Sequence, residues 1–256
     1  MKHTCPCCGH RVHSEPIMGG SMQICPICFW EDVPGEHPDD RSNGVSLLDA
    51  QENYRKEGAC DPEFINVVRA PNSDEEPDST WRSFRDDAHA TIELIEHAFG
   101  SVALGNGMTI HQREVISDYG TQHDFDAARR LDTERRWQDI AGPKIGQLGT
   151  TLIFLDPESI RYHLPAFMRH VIRSWLETSD FDDEMVLYSL SDGPCSDGYH
   201  ADSFTLLNPE QKQATATFLQ FIASVDSIYG PEAGEGLTNG WDKWLSTSTP
   251  PTSRFP

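Results

Sequence analysis

Beyond residue 80 the apolar positions recur every three or four residues, a spacing that predicts helices rather than strands. The longest stripe, Ile160, Leu164, Phe167, Met168, Val171, Ile172, Trp175 and Leu176, follows Asp156-Pro157-Glu158. Asp is a good N-cap and Pro is favoured at the first helical position, so a helix is expected to start there. Pro165 lies inside the stripe, and its missing amide and crowding ring predict a kink. Asn208-Pro209-Glu210-Gln211 repeats the start signal ahead of Phe218, Leu219, Ile222 and Val225. Ile92, Ile95 and Phe99 share helical spacing up to Gly100, and Thr109 is placed to cap a helix carrying Val115, Ile116 and Tyr119. A further helix is expected from Asp124–Asp126 through Ala127, Ala128 and Leu131 toward Trp137. Met185–Leu190 reads as a short strand. The Gly/Ser/Pro-rich end from about Tyr229 reads as loose except where Trp241 and Trp244 dock.

The first 80 residues read differently. Ser46-Leu47-Leu48-Asp49 has the hydroxyl and carboxylate of a capping box, predicting a helix to about Glu57 with Gly58 as its C-cap. The acidic, Pro-bounded stretch Pro71–Ser79 has no apolar residue and reads as a solvated linker. The expected organisation is a cysteine-rich zinc-binding module over 1–70, an acidic linker over 71–80 and a mainly helical domain over 81–256. The fold class is therefore mainly α, α+β overall, with an N-terminal zinc ribbon-like module.

Five of the seven cysteines lie within residues 5–28. Cys5-Pro6-Cys7-Cys8-Gly9 and Cys25-Pro26-Ile27-Cys28 each contain a Cys-x-x-Cys turn. Two such turns joined by a hairpin supply the four soft ligands that tetrahedral zinc prefers. Cys5, Cys8, Cys25 and Cys28 are the expected ligands of one structural Zn2+. Cys7 is then surplus, and His3, His10 and His13 are nearby alternatives that read as surface histidines. Four protein ligands leave no coordination position for a substrate, so the metal is expected to be architectural. Cys60 and Cys195 receive no role.

Charge narrows the partners. The chain carries 41 acidic and 20 basic residues, a net charge of −21 over 256 residues. Residues 1–80 contribute −9 and residues 81–256 contribute −12. Both halves therefore repel nucleic-acid backbones and anionic membranes and favour a basic protein partner. No apolar stretch is long enough to span a bilayer, so a soluble, cytoplasmic protein is expected.

Two resemblances follow from particular motifs. Cys5-Pro6-Cys7-Cys8-Gly9, Ile24-Cys25-Pro26-Ile27-Cys28-Phe29-Trp30-Glu31-Asp32 and Val45-Ser46-Leu47-Leu48-Asp49-Ala50-Gln51-Glu52-Asn53-Tyr54 resemble the bacterial cysteine-rich CPCC family over about residues 3–75. That resemblance implies a small zinc ribbon-like module and no established activity. Residues from about 92 to 225 resemble an uncharacterised bacterial helical domain family. Its motifs here are Glu114-Val115-Ile116-Ser117-Asp118-Tyr119, Arg136-Trp137-Gln138-Asp139-Ile140, Phe154-Leu155-Asp156-Pro157-Glu158, Tyr162-His163-Leu164-Pro165-Ala166-Phe167-Met168 and Leu206-Leu207-Asn208-Pro209-Glu210-Gln211. Neither transfers a catalytic residue.

Motifs that carry catalysis are missing. The sequence has no Gly-rich phosphate loop, no Gly-x-Ser-x-Gly and no His-Glu-x-x-His. Two weaker candidates remain for an enzyme: a pocket beside Pro165 using Arg169 and His170, and the loop Ser191–His200 with Cys195 and His200. The leading expectation is a binding protein without chemistry, an immunity protein that binds and blocks a basic toxin. Trp137 with Asp139, and Trp241 with Asp242, are its expected contact residues, since aromatics ringed by acids suit hot spots against a basic surface.

Overall fold

A computed structural model describes residues 2–17, 20–33, 38, 41, 43–147, 152, 155–178, 185–194, 201–225 and 228–245. The chain divides into two compact units, the first built chiefly from residues up to Asp87 and the second from Ala88 to Ala223 with the chain after Tyr229.

In the first unit two short antiparallel strands, β1 (His3–Thr4) and β2 (Arg11–His13), pair His3 with His13 and Thr4 with Arg11. An isolated bridge, Ile24 to Glu31, flanks the second cysteine turn in the same way. Helix α1 (Leu47–Glu57) follows. The Ser46 side chain accepts from the Asp49 amide and Gly58 closes the helix at φ 84°, as expected, but the Asp49 carboxylate receives Arg41 (2.8 Å) instead of completing a capping box. Leu47 and Ala50 are buried from this helix together with Ile27 and Trp30 of the second turn's neighbourhood.

Residues 71–80 are not a solvated tether. Glu75 is only 3% exposed and accepts from Lys2 Nζ (3.1 Å), both Arg69 terminal nitrogens (2.6 and 2.8 Å) and the Asn72 amide (2.8 Å). The Asp78 amide donates to the Gly9 carbonyl, and the Asp78 carboxylate accepts from Thr4 Oγ1 (2.6 Å) and Arg11 (3.0 Å). A stretch without apolar residues can still be fixed when its carboxylates find several charged or polar donors, and here they clasp it against β1 and β2. Bonds from Arg69 hold the Glu75 carboxyl well below the usual carboxylate range, and those from Thr4 and Arg11 do the same for Asp78.

The second unit is helical among its described residues: α2 (Phe84–Phe99), α3 (Ile110–Ser117), α4 (Gln122–Ala128), α5 (Gly142–Gln147), α6 (Pro157–Thr178), α7 (Met185–Ser191), α8 (Pro209–Val225) and α9 (Gly230–Gly236). Its core is the α6 stripe, with Leu164, Phe167, Met168, Val171 and Ile172 at 0–1% exposure, joined by Ile95, Phe99, Ala214, Phe218, Leu219 and Ile222. Asp156 Oδ1 caps α6 by accepting from the Glu158 and Ser159 amides, each at 3.0 Å. Asn208 and Gln211 cap α8 reciprocally. α6 runs from Pro157 to Thr178 with Pro165 inside it.

Three expectations are corrected. Met185–Ser191 is a helix, since Val186, Leu187 and Leu190 are all buried and share a helical stripe. α4 starts earlier, at a Thr121–Asp124 capping box, and ends at Ala128, leaving Trp137 in a separate 3-10 turn over Trp137–Asp139. The chain after Tyr229 is ordered through α9 and a π-turn at Leu237–Trp241. Glycine permits this packing: a Cβ on Gly236 would meet the Leu190 carbonyl at 3.0 Å, so a side chain there would push α9 away from α7.

Candidate functional site

The two cysteine turns are built alike. In the first, the Gly9 amide donates to the Cys5 carbonyl (2.9 Å) and the Cys5 amide to His10 (2.8 Å). In the second, the Phe29 amide donates to Cys25 (2.8 Å) and the Cys25 amide to Trp30 (2.8 Å). Both turns close with a left-handed residue, Gly9 at φ 75° and Phe29 at φ 69°. The residues differ because their surroundings do. A Cβ on Gly9 would strike the Trp81 ring at 2.6 Å, whereas the Phe29 ring packs on Phe64 with centroids 4.3 Å apart.

This geometry brings Cys5, Cys8, Cys25 and Cys28 together, all buried, with their sulfurs within 4.8 Å of one another. Cys5 to Cys28 is 3.6 Å and Cys8 to Cys25 is 3.7 Å. Those spacings are too long for disulfides, whose sulfurs are about 2.05 Å apart. They match the roughly 3.8 Å edge of a tetrahedron with metal–sulfur bonds near 2.3 Å. Burial pushes the Cys5 and Cys28 thiols up, while hydrogen bonds from Cys28, Cys5, Cys8 and His13 pull Cys25 down. A cation placed between the four sulfurs would offset the cost of ionising thiols in so small and dry a volume. The four cysteines can therefore hold a metal ion.

Neighbouring groups fix the ligands rather than join them. The Pro6 carbonyl accepts from Gln51 Nε2 (2.8 Å) and Trp81 Nε1 (3.2 Å), anchoring the first turn to α1 and to the segment before α2. Cys7 is fully buried beside Cys28, and burial raises its thiol. Cys60 is buried too, its thiol pushed up to about 12 by burial, and its amide donates to the Cys28 carbonyl at 2.6 Å. His10 is tied to the Glu75 carbonyl (2.8 Å), and His13, 4% exposed, donates toward Cys25 rather than lying on the surface. Trp81, Glu75 and Asp78 carry no motif. The bonds from Gln51 and Trp81 to Pro6, from Thr4 to Asp78 and from Lys2 to Glu75 span from 45 to 75 residues of sequence, so no local signal marks them.

Both expected hot spots turn out to be core. Trp137 is 0% exposed and its Nε1 donates to the Phe99 carbonyl at 2.8 Å. Trp241 is 0% exposed, donates to the Leu190 carbonyl at 3.0 Å and meets Phe204 edge-on at 5.1 Å. A buried indole with a satisfied N–H belongs to the interior. Asp139 and Asp242 are exposed beside them but without the aromatic surface they were expected to ring.

Arg169 is likewise structural. It is 6% exposed, stacks 4.9 Å from the Trp137 ring centre, donates to the Gln138 carbonyl at 2.8 Å and lies 3.4 Å from Glu96. A cavity of about 350 Å³ does open beside α6, but one to two turns earlier, at Tyr162 and His163. Its wall also holds Asp132, Glu134, Lys144 and Arg129. The two carboxylates and Lys144 satisfy one another, and Arg129 is held by backbone. Lys144 reaches Asp132 (2.5 Å) and Glu134 (2.9 Å), Asp132 also receives His111 (2.7 Å), and Arg129 donates to the Gly105 and Gly107 carbonyls. His163 gives Nε2 to the Met108 carbonyl (3.1 Å), and burial pushes its pKa down to about 4. The loop from Cys195 to His200 lies outside the described residues. No helix among the described residues is long and apolar enough to cross a membrane.

The fold therefore joins a four-cysteine metal-binding module to a helical unit. Residues 3–75 match the cysteine-rich CPCC family, and residues 87–236 match a family of unknown function, DUF6714. The latter covers more than half of the chain, which belongs to that family. No curated protein and no solved structure matches the chain.

Proposed function

We propose that this chain is a zinc-stabilised acidic protein-binding protein, in its most concrete form a bacterial cytoplasmic immunity protein that binds a basic toxin and blocks it. The observation that carries this reading is the net charge of −21, spread over both halves of the sequence. Such a potential speeds encounter with a basic partner and fixes its register. Two further features support it. The metal-binding cluster is filled by four thiols, which favours zinc and leaves no position for substrate. In the described cavity beside α6, Asp132, Glu134 and Lys144 are engaged by one another, with His111 also on Asp132.

The test is to express the adjoining open reading frames in a heterologous host with and without this chain. Growth rescue, together with a complex that weakens as salt rises, is the expected result. Absence of rescue by any neighbour, combined with turnover of a screened small molecule by the purified chain, would overturn the reading.

A further inference from the structure

The turn between α3 and α4 presents an aromatic residue to solvent in a conformation that disfavours it. Tyr119 is 97% exposed and sits at φ 55°. It follows the C-cap Asp118, and the hydrogen bonds around it form a Schellman motif: the Tyr119 amide donates to Ile116 (3.2 Å) and the Gly120 amide to Val115 (2.8 Å). Glycine is the usual residue at that left-handed position, and a bulky side chain there is uncommon. Tyr119 makes no hydrogen bond through its hydroxyl to a described residue, so nothing within the described fold accounts for the ring. Ile116, one turn back, is 50% exposed.

Charge defines what fits against this patch. Residues 114–128 contain Glu114, Asp118, Asp124 and Asp126 and no Lys or Arg. All four carboxylates are exposed, and none is ion-paired among the described residues. Three other carboxylates of the same unit do have a cation: Asp132 and Glu134 share Lys144, and Glu96 faces Arg169. The turn is also rigid. Thr121 and Asp124 cap α4 reciprocally, and the Val115 side chain lies where a Cβ on Gly120 would fall, at 2.5 Å. Rigid presentation lowers the entropy cost of docking a side chain.

We infer that this turn is the docking surface for a basic protein, with Tyr119 and Ile116 entering an apolar cleft and Glu114, Asp118, Asp124 and Asp126 meeting the Lys and Arg side chains around it. This places the acid-ringed aromatic one helix away from Trp137, and it rests on the binding reading above. An exposed Tyr on a segment whose carboxylates are exposed and whose Lys and Arg are absent has the composition of an interface centre and rim.

The test pans a phage-displayed library of short random peptides against the full native chain, then measures the selected peptides against Tyr119→Gly and the double variant Glu114→Gln/Asp118→Asn. The expected peptides carry an excess of Lys and Arg, lose roughly tenfold or more in affinity for Tyr119→Gly, and bind the double variant more weakly and with less salt dependence. Tyr119→Gly itself should melt no lower than the native chain, because glycine suits the left-handed position; this separates lost binding from lost folding. Basic peptides that bind Tyr119→Gly unchanged would overturn this surface while leaving the acidic-binding reading standing. Selection of no binders, or of peptides without basic excess, would overturn both. A clear fall in melting temperature for Tyr119→Gly would show the ring to be structural and overturn the assignment.

Discussion

Trp81 lies flat across Gly9, so close that a Cβ on the glycine would sit 2.6 Å from the ring. The same indole donates from Nε1 to the Pro6 carbonyl, three residues before the turn closes at Gly9. One residue far along the sequence thus seals the first cysteine turn from outside and requires glycine beneath it.

Gly9→Ala is therefore expected to be costly twice over, through a left-handed alanine and through collision with Trp81. The loss should be about 2 kcal/mol or more, or roughly thirtyfold in metal affinity. Competition with a chromophoric chelator would measure it. Phe29→Gly, at the equivalent position of the second turn, relieves the backbone and forfeits only the packing on Phe64. Its effect should be the smaller of the two.

Glu75→Gln keeps the shape of the acidic clasp and removes its charge, leaving Arg69 and Lys2 without their anion. Hydrogen bonds to charged groups are worth roughly 1.5–3 kcal/mol, so a loss of about that size is expected near neutral pH. The folded carboxyl is held below the ordinary range, so this stabilisation is complete above the unfolded pKa and fades as pH falls through the folded one. Urea midpoints of the two proteins should accordingly converge in strong acid.

His163 gives a second, separable pH dependence. Its pKa falls from 6.5 to about 4 on burial, so between those values the unfolded chain binds more protons than the folded one. Stability should decline as pH drops from about 6.5 toward 4, by at most roughly 3 kcal/mol from this group. His163→Gln should flatten that decline, as read from denaturant midpoints across the same range.

Trp137→Ala tests whether the indole is core. Removing a fully buried Trp should cost about 3–5 kcal/mol, with Arg169 losing the ring it stacks on. A drop of that size in unfolding free energy is expected; a change confined to surface behaviour would contradict the packing.

The sequence disclosed whatever local chemistry decides. Both Cys-x-x-Cys turns, the Ser46 and Asn208 caps and the α6 stripe obey short-range rules, and each stands where its signal placed it. Misreadings arose where long-range packing overrides composition. Met185–Leu190 looked like a strand because so short a segment shows too little periodicity to separate the two, and packing decides in favour of a helix over Met185–Ser191. Trp137 and Trp241 looked exposed because acids adjoin them in sequence, yet each side chain turns inward to a distant carbonyl. Glu75 shows the reverse: within an acidic stretch read as solvated, this one side chain is buried because Arg69, six residues away, and Lys2, 73 residues away, converge on it.

The central expectation for the first unit is a metal enclosed by its four sulfurs. X-ray absorption at the zinc edge of the native protein reads this directly. The expected spectrum has four sulfur neighbours at about 2.3 Å and no nitrogen or oxygen, and it should be unchanged in Cys7→Ser. A shell with a nitrogen or water ligand, or protein purified natively without bound zinc, would contradict the account.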